Sequence, residues 1–318
     1  MGTCIPPEIL GHSGYLQQKQ QLIDSMRLFT SGSCSENRNG QCGIILSSFP
    51  RLRKLLWSGL RSRNDIETLK DTLRQISDQI VEFELDFIDW DDVKSEFSLD
   101  TEDSDAFLVG NILELPSKST KRMFPALQVL SLSSVSFRSG TKELAHAFDF
   151  SSLSSLKLYL CSGWEYFLRH GSDLSRPSRL KVLEIKTTID QEVEPVDSIS
   201  NFLESFRGLE HLAISTSSPT RMLEIWRAAC HHRASLKAFA HHQQSINPDE
   251  PSPGGYDDPD LPDLSRSVFE EKMTEWTENP SQHPLGELNL EFLGLYCDPK
   301  LLVWVPYTSL LYYCLTIS

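Results

Sequence analysis

Four histidines of this chain stand as two adjacent pairs, His231–His232 and His241–His242, with Cys230 beside the first. Imidazole and thiolate are the donors that a zinc ion takes. The spacing argues against such a centre. Neighbouring residues of a strand point to opposite faces, so each pair offers one ligand to any one site. The pairs read instead as surface histidines at a helix end and a strand end, where the C-terminal dipole favours a cation.

A second group is acidic. Asp86, Asp89, Asp91, Asp92, Glu96, Asp100, Glu102, Asp103 and Asp105 are set against a lone Lys94. Carboxylates hold calcium, but the D-x-[DN]-x-[DN]-G loop with its distal glutamate is missing. The run therefore reads as a solvated loop. Just at its start, Glu82, Glu84 and Asp86 alternate with Phe83, Leu85 and Phe87. A period of two puts the acids on one face of a strand and the apolar residues on the other. Three carboxylates in one column form a solvated strand face or suit a basic segment of a partner. No G-x-S-x-G, glycine-rich phosphate loop, H-E-x-x-H or dinucleotide fingerprint occurs. The chain reads as a non-enzyme with no metal and no cofactor.

The elements that must position these residues follow from a repeat. An apolar triplet L-x-x-L-x-L, or a variant of it, starts at Leu52 (then Leu55, Trp57), Ile80 (Phe83, Leu85), Leu127 (Leu130, Leu132) and Leu153 (Leu156, Leu158). It returns at Leu180 (Leu183, Ile185), Leu209 (Leu212, Ile214), Leu236 (Phe239, His241) and Leu285 (Leu288, Leu290). The starts are 28, 47, 26, 27, 29, 27 and 49 residues apart. A period of about 20–29 residues with this signature marks a leucine-rich repeat. Between triplets lie helical patterns: Asn64–Gln79, Lys142–Phe148, Ser198–Phe206 with Asp197 as N-cap, and Thr220–His231. Strand and helix in alternation require a parallel sheet. The expected fold class is α/β, a leucine-rich repeat solenoid of about eight repeats, its curved parallel sheet backed by outer helices.

Three regions follow. Residues 1–48 form a helical N-terminal cap and linker, with a helix over Ile9–Phe29, a polar break at Ser31–Gln41 and a capping helix at Ile44–Phe49. Residues 49–295 form the array, with insertions at 88–121 and at 242–284, the second rich in proline and glycine around a short helix at Val268–Trp276. Residues 296–318 are an apolar tail. Its last 18 residues, Leu301–Ser318, are uncharged, but Pro306 interrupts them. They read as a final packed element rather than a membrane anchor.

The composition narrows the partners. The net charge is −14 over 318 residues, without the clustered basic face that nucleic acid needs. Seven cysteines in irregular spacing, with no C-x-x-C, fit reduced thiols and not a disulfide framework. No basic and apolar leader opens the chain. An intracellular protein, of cytoplasm or nucleus, is expected.

Phe49-Pro50-Arg51-Leu52 and Phe124-Pro125-Ala126-Leu127 share F-P-x-L, and Ser178–Leu183 and Phe206–Leu212 repeat its apolar frame. Over Tyr15–Leu295 this resembles the C-terminal leucine-rich part of fungal F-box-like proteins. Ile5-Pro6-Pro7-Glu8-Ile9-Leu10 is similar to the L-P-x-E-I-L opening of an F-box, whereas Gly11–Gln21 departs from the rest of that module. The resemblance implies a target-recognition part of a substrate receptor in a cullin-type ubiquitin ligase, with the ligase adaptor as a partner. The alternative is a stand-alone leucine-rich repeat scaffold with no ubiquitin role, either free or tethered to a membrane by its tail.

In either case the target, whose identity the residues do not name, would meet the outward strand positions. These are Lys54, Glu82, Glu84, Asp86, Ser131, Lys157, Tyr159, Glu184, Lys186, His211, His242, Glu287, Asn289 and Glu291. Tyr159 is the expected anchor, because aromatic residues are enriched in binding hot spots.

Overall fold

The computed structural model describes residues 7–10, 14–19, 22–30, 46, 48–88, 90–173, 179–187, 196–216, 222–243 and 284–296. The chain forms two compact units, Met1–Leu180 and Lys181–Ser318.

The first unit carries five parallel strands in chain order: β1 (Ser25–Phe29), β2 (Lys54–Ser58), β3 (Glu82–Asp86), β4 (Val129–Ser133) and β5 (Ser155–Tyr159). Alternation of apolar and polar residues sets the register. Leu55, Trp57, Phe83, Leu85, Leu130, Leu132, Leu156 and Leu158 all turn inward and are buried, as are the leading residues Leu52, Ile80, Leu127 and Leu153. One backbone device recurs before each strand. The Asp24 carbonyl accepts from the amides of Arg53 and Lys54, Arg53 from Val81 and Glu82, Val81 from Gln128 and Val129, and Gln128 from Ser154 and Ser155. Each shared carbonyl locks one strand to the next in phase.

Helices return the chain behind the sheet. After α1 (Pro7–Leu10) and α2 (Tyr15–Lys19), the first long one is α3 (Arg63–Ile76). Ser62 and Asp65 close a capping box at its start, and Ile66, Leu69, Leu73 and Ile76 make its buried stripe. Next come α6 (Thr141–Phe148) and α7 (Trp164–Asp173), with α4 (Trp90–Phe97) and α5 (Thr101–Ala106) lying between β3 and β4. Aromatic rings fill the space between sheet and helices. Phe124 stacks on Phe83 at 5.6 Å and on Phe148 at 5.3 Å, and Phe137 stacks on Phe167 at 4.4 Å.

The second unit repeats the plan with β6 (Val182–Lys186), β7 (His211–Thr216), β8 (Ala238–Gln243) and β9 (Phe292–Tyr296), all parallel and in chain order. Helices α8 (Val196–Glu204) and α9 (Met222–Cys230) lie between them in sequence.

Five expectations change. The segment Ile9–Phe29 is not one helix; it ends in strand β1, so the sheet begins inside the 1–48 region read as cap and linker. Met26 and Leu28 face in and Arg27 and Phe29 face out, and Ile23-x-x-Met26-x-Leu28 is a further copy of the triplet. The acidic run is not a loop. It forms α4 and α5, followed by a π-helix at Phe107–Ile112, and Val93, Phe107, Leu108 and Ile112 are buried. Asp100 caps α5 by accepting from the Asp103 amide at 2.8 Å, which places these acids at a helix start where the dipole favours them.

The last triplet is shifted: Leu285 lies by a 3-10 turn (Pro284–Glu287), and the strand triplet is Leu290, Leu293, Leu295. The shared-carbonyl device decides this, since Lys237 accepts from Glu291 and Phe292. Asp197 lies within α8 and is not its N-cap. Within the capping helix expected at Ile44–Phe49, Leu46, Ser48 and Phe49 are not helical. Its other three residues, the helix at Val268–Trp276 and the tail from residue 297 lie outside the described residues.

Candidate functional site

Because side chains alternate across a strand, the sheet of the first unit presents one face to the core and one away from it. On the outward face the strands line up in three rows. The first is Ser25, Lys54, Glu82, Val129, Ser155; the second is Arg27, Leu56, Glu84, Ser131, Lys157; the third is Phe29, Ser58, Asp86, Ser133, Tyr159. Glu82, Glu84 and Asp86 form the central column, as their alternation requires.

Ionic contacts across strands organise this column. Lys54 Nζ lies 3.0 Å from Glu82 Oε2. Arg27 reaches over the intervening strand to within 4.0 Å of Glu84 Oε2. Leu56 sits between those two residues in the same row and is only 6% exposed, so the pair roofs it. Asp86 differs: its carboxylate makes no hydrogen bond or ion pair among the described residues, and serines flank it on both sides. Its backbone is held, with the Gly59 amide donating to the Asp86 carbonyl at 2.8 Å. At the two ends of the same row, Phe29 is 60% exposed and Tyr159 is half-buried.

The second unit has a different outward face. Its rows read Val182, His211, Ala238, Phe292; then Glu184, Ala213, Ala240, Gly294; then Lys186, Ser215, His242, Tyr296. Small residues leave the middle row low, and a Cβ on Gly294 would come within 3.2 Å of the Phe292 ring. Ser215 Oγ and His242 Nδ1 are 3.2 Å apart.

Eleven of the expected binding residues therefore lie on outward faces: Lys54, Glu82, Glu84, Asp86, Ser131, Lys157 and Tyr159 in the first unit, and Glu184, Lys186, His211 and His242 in the second. Glu287, Asn289 and Glu291 do not, because the strand that should carry them starts after them. Glu287 instead pairs with Arg233 at 3.0 Å. Arg27, Phe29, Phe292 and Gly294 belong to the faces and were not anticipated. The alternation of Ser25–Phe29 was the signal for the first two.

The histidine pairs are also corrected, since His232 and His241 are buried at 1% and 3% exposure and not on the surface. His241 occupies the inward position that Ile214 and Leu295 hold in the neighbouring strands. The chemistry of the thiols is muted too. Burial pushes Cys161 up to about 12 and Cys230 up to about 11, so both stay protonated at neutral pH. Among the described residues no group of three or more histidine, cysteine, aspartate or glutamate side chains could hold a metal ion. No helix among them is long and apolar enough to cross a membrane.

Comparison with family models, curated proteins and solved structures finds no match to this chain. The chemistry of the two faces carries the functional argument.

Proposed function

We propose that this chain is a protein-recognition module of the leucine-rich repeat type, and that the outward face of its first unit takes up a basic, extended segment of a partner. The observation that carries this reading is the column Glu82, Glu84, Asp86, three carboxylates at successive outward positions of one strand. An extended chain repeats its same-side residues about every 6.4–6.8 Å, twice the rise per strand residue. Lysine or arginine at alternate positions of a bound segment would keep step with the column. Arg27 and Lys54 bound it on one side and set the direction from which a cation approaches.

Within this class the role is target recognition in an F-box-like receptor of a cullin-type ubiquitin ligase. The support is in sequence: the Ile5–Leu10 opening and the two F-P-x-L units. Binding and ligase membership separate experimentally. Fluorescence anisotropy with a peptide of alternating lysine, against one of alternating glutamate, tests the face. The lysine peptide should bind the wild type and lose at least about tenfold in affinity against Glu82→Gln, Glu84→Gln, Asp86→Asn. Equal binding of both peptides, or no loss in the triple variant, overturns the reading. Co-purification of the adaptor and cullin from the native cell tests the second part. Their absence leaves a stand-alone scaffold.

A further inference from the structure

The second unit encloses two imidazoles in a form that acid abolishes. His241 Nδ1 accepts a hydrogen bond from Trp226 Nε1 at 3.0 Å, and the bond joins α9 to β8. His232 Nδ1 accepts from the Leu209 amide at 3.3 Å, joining the turn after α9 to the lead-in of β7. A ring nitrogen that accepts carries no proton, so each ring is neutral with its proton on Nε2. Adding a proton at Nδ1 turns the acceptor into a donor facing a donor.

Among the described residues nothing nearby would compensate the charge. His241 packs against Trp226, Phe239 and its register neighbours Ile214 and Leu295; the ionisable group facing it is His242, of its own strand. His232 packs against Phe206, and the groups facing it are His231 and Arg207, with the Leu203 carbonyl lying toward Nε2 outside good hydrogen-bond geometry. No carboxylate is among them. Among the described residues His241 Nε2 has no hydrogen-bond partner. A buried donor left unpaired costs stability already in the neutral state.

We infer that the second unit is an acid-sensitive device, in which protonation of His241 and His232 frees α9 and the turn after it from the sheet. The inward position of His241 makes this a core event rather than a surface titration.

Burial, with His242 beside it, holds His241 down at about 4 from an ordinary value of 6.5. Burial, with His231 and Arg207 adding repulsion, does the same to His232. An opened imidazole binds a proton near pH 6.5, whereas the enclosed one resists until about 4. The closed form is therefore fully favoured above 6.5, loses ground as pH falls through that window, and levels off below 4. At pH 5 opening one such imidazole is favoured about 30-fold over its value at high pH.

Hydrogen exchange by mass spectrometry on the full chain, corrected for the intrinsic rate at each pH, reads this. Between pH 7.5 and pH 5.0 the segment Met222–His242 should lose protection by about 30-fold or more, while Lys54–Tyr159 serves as an internal reference. His241→Asn with His232→Asn keeps an acceptor oxygen in place of Nδ1 without a titrating ring, and should remove the response. Trp226→Phe withdraws the donor that opposes protonation of closed His241, so that its closed value rises toward 6.5 and the loss of protection at pH 5.0 shrinks; this variant serves if the asparagine variant does not fold. Unchanged protection of the wild-type segment overturns the inference. So does an equal response in the asparagine variant, or an undiminished response in Trp226→Phe.

Discussion

Gly59 closes the turn after β2, and replacing it with alanine tests whether that turn positions Asp86. Its φ is +79°, and a Cβ built there would lie 2.3 Å from the Thr30 carbonyl oxygen. Two costs can be separated. The left-handed backbone alone costs an alanine about 1–2 kcal/mol. The contact adds more, because Thr30 cannot retreat without loss. Its amide donates to the Ser58 carbonyl at 3.0 Å, its hydroxyl donates to the Gly59 carbonyl at 2.8 Å, and the buried Trp57 indole donates to that hydroxyl at 3.3 Å. Moving the threonine far enough to admit a methyl group strains or breaks these three bonds, each worth about 1 kcal/mol. Gly59→Ala should therefore cost about 3–5 kcal/mol.

Gly208→Ala is the control, since its φ of +97° is as strained but its Cβ would meet only the Lys181 ammonium at 3.5 Å. It should cost about 1–2 kcal/mol. Gly110→Ala, with nothing within 4 Å of the new carbon, should be neutral or stabilising. Urea denaturation of the three variants gives the order. The Gly59 amide also donates to the Asp86 carbonyl, so the first variant should weaken peptide binding at concentrations where it is still folded. Equal costs for Gly59→Ala and Gly208→Ala would refute the close-approach argument.

The last strand can be tested by its phase: Leu293→Ala should cost about 2–5 kcal/mol and Phe292→Ser little, as one is buried and the other 43% exposed. The reverse order in urea denaturation would restore the register that starts at Leu285. Cys161, held up at about 12, should react with iodoacetamide in the native chain only as fast as the sheet opens, and mass spectrometry of the labelled peptide at pH 8 reads the rate. Labelling as fast as in urea would contradict its burial. Glu210 is held below its ordinary 4.5 by hydrogen bonds from Lys237 and Lys181. Its contribution is thus present above pH 4.5 and is lost as pH falls through its lower folded value. Acid unfolding of Glu210→Gln should be flatter below pH 4.5 and unchanged between 4.5 and 6.5.

The strands β2 to β8 were legible because inward leucines recur in phase and a one-residue slip would expose all of them. The places that misled share a physical cause. Leu22, Met26 and Phe29 satisfy a helical spacing while Met26 and Leu28 satisfy a strand's, and short apolar runs do not distinguish the two. Pairing of Met26 with Leu55 and Leu28 with Trp57 decides it, and that pairing is between segments far apart in the chain. In Leu288–Leu295 the apolar residues alternate in two phases, and only the Lys237 carbonyl selects one. His241 looked like a surface residue because polarity predicts exposure. Its burial depends on an indole donor 15 residues earlier, on another element. Outward residues were legible wherever the strand phase was, which is why Glu82, Glu84 and Asp86 were placed and Glu287 was not.

The column itself is not uniform in what it offers a ligand. Glu82 and Glu84 already have cations on exposed neighbours, Lys54 and Arg27. Exposed ion pairs contribute about 0–1 kcal/mol, so a basic segment that displaces them exchanges one solvated pair for another and gains little. Among the described residues Asp86 has no cation to lose, and it lies in the row that runs from Phe29 to Tyr159. A lysine or arginine arriving there gains a new pair, and the aliphatic part of its side chain can cover the exposed Phe29 ring. Affinity should therefore concentrate at the C-terminal end of the strands, with Glu82 and Glu84 setting direction and salt dependence. Asp86→Asn alone should account for most of the loss seen in the triple variant, and an equal share from each of the three acids would show the column to act only as a diffuse field.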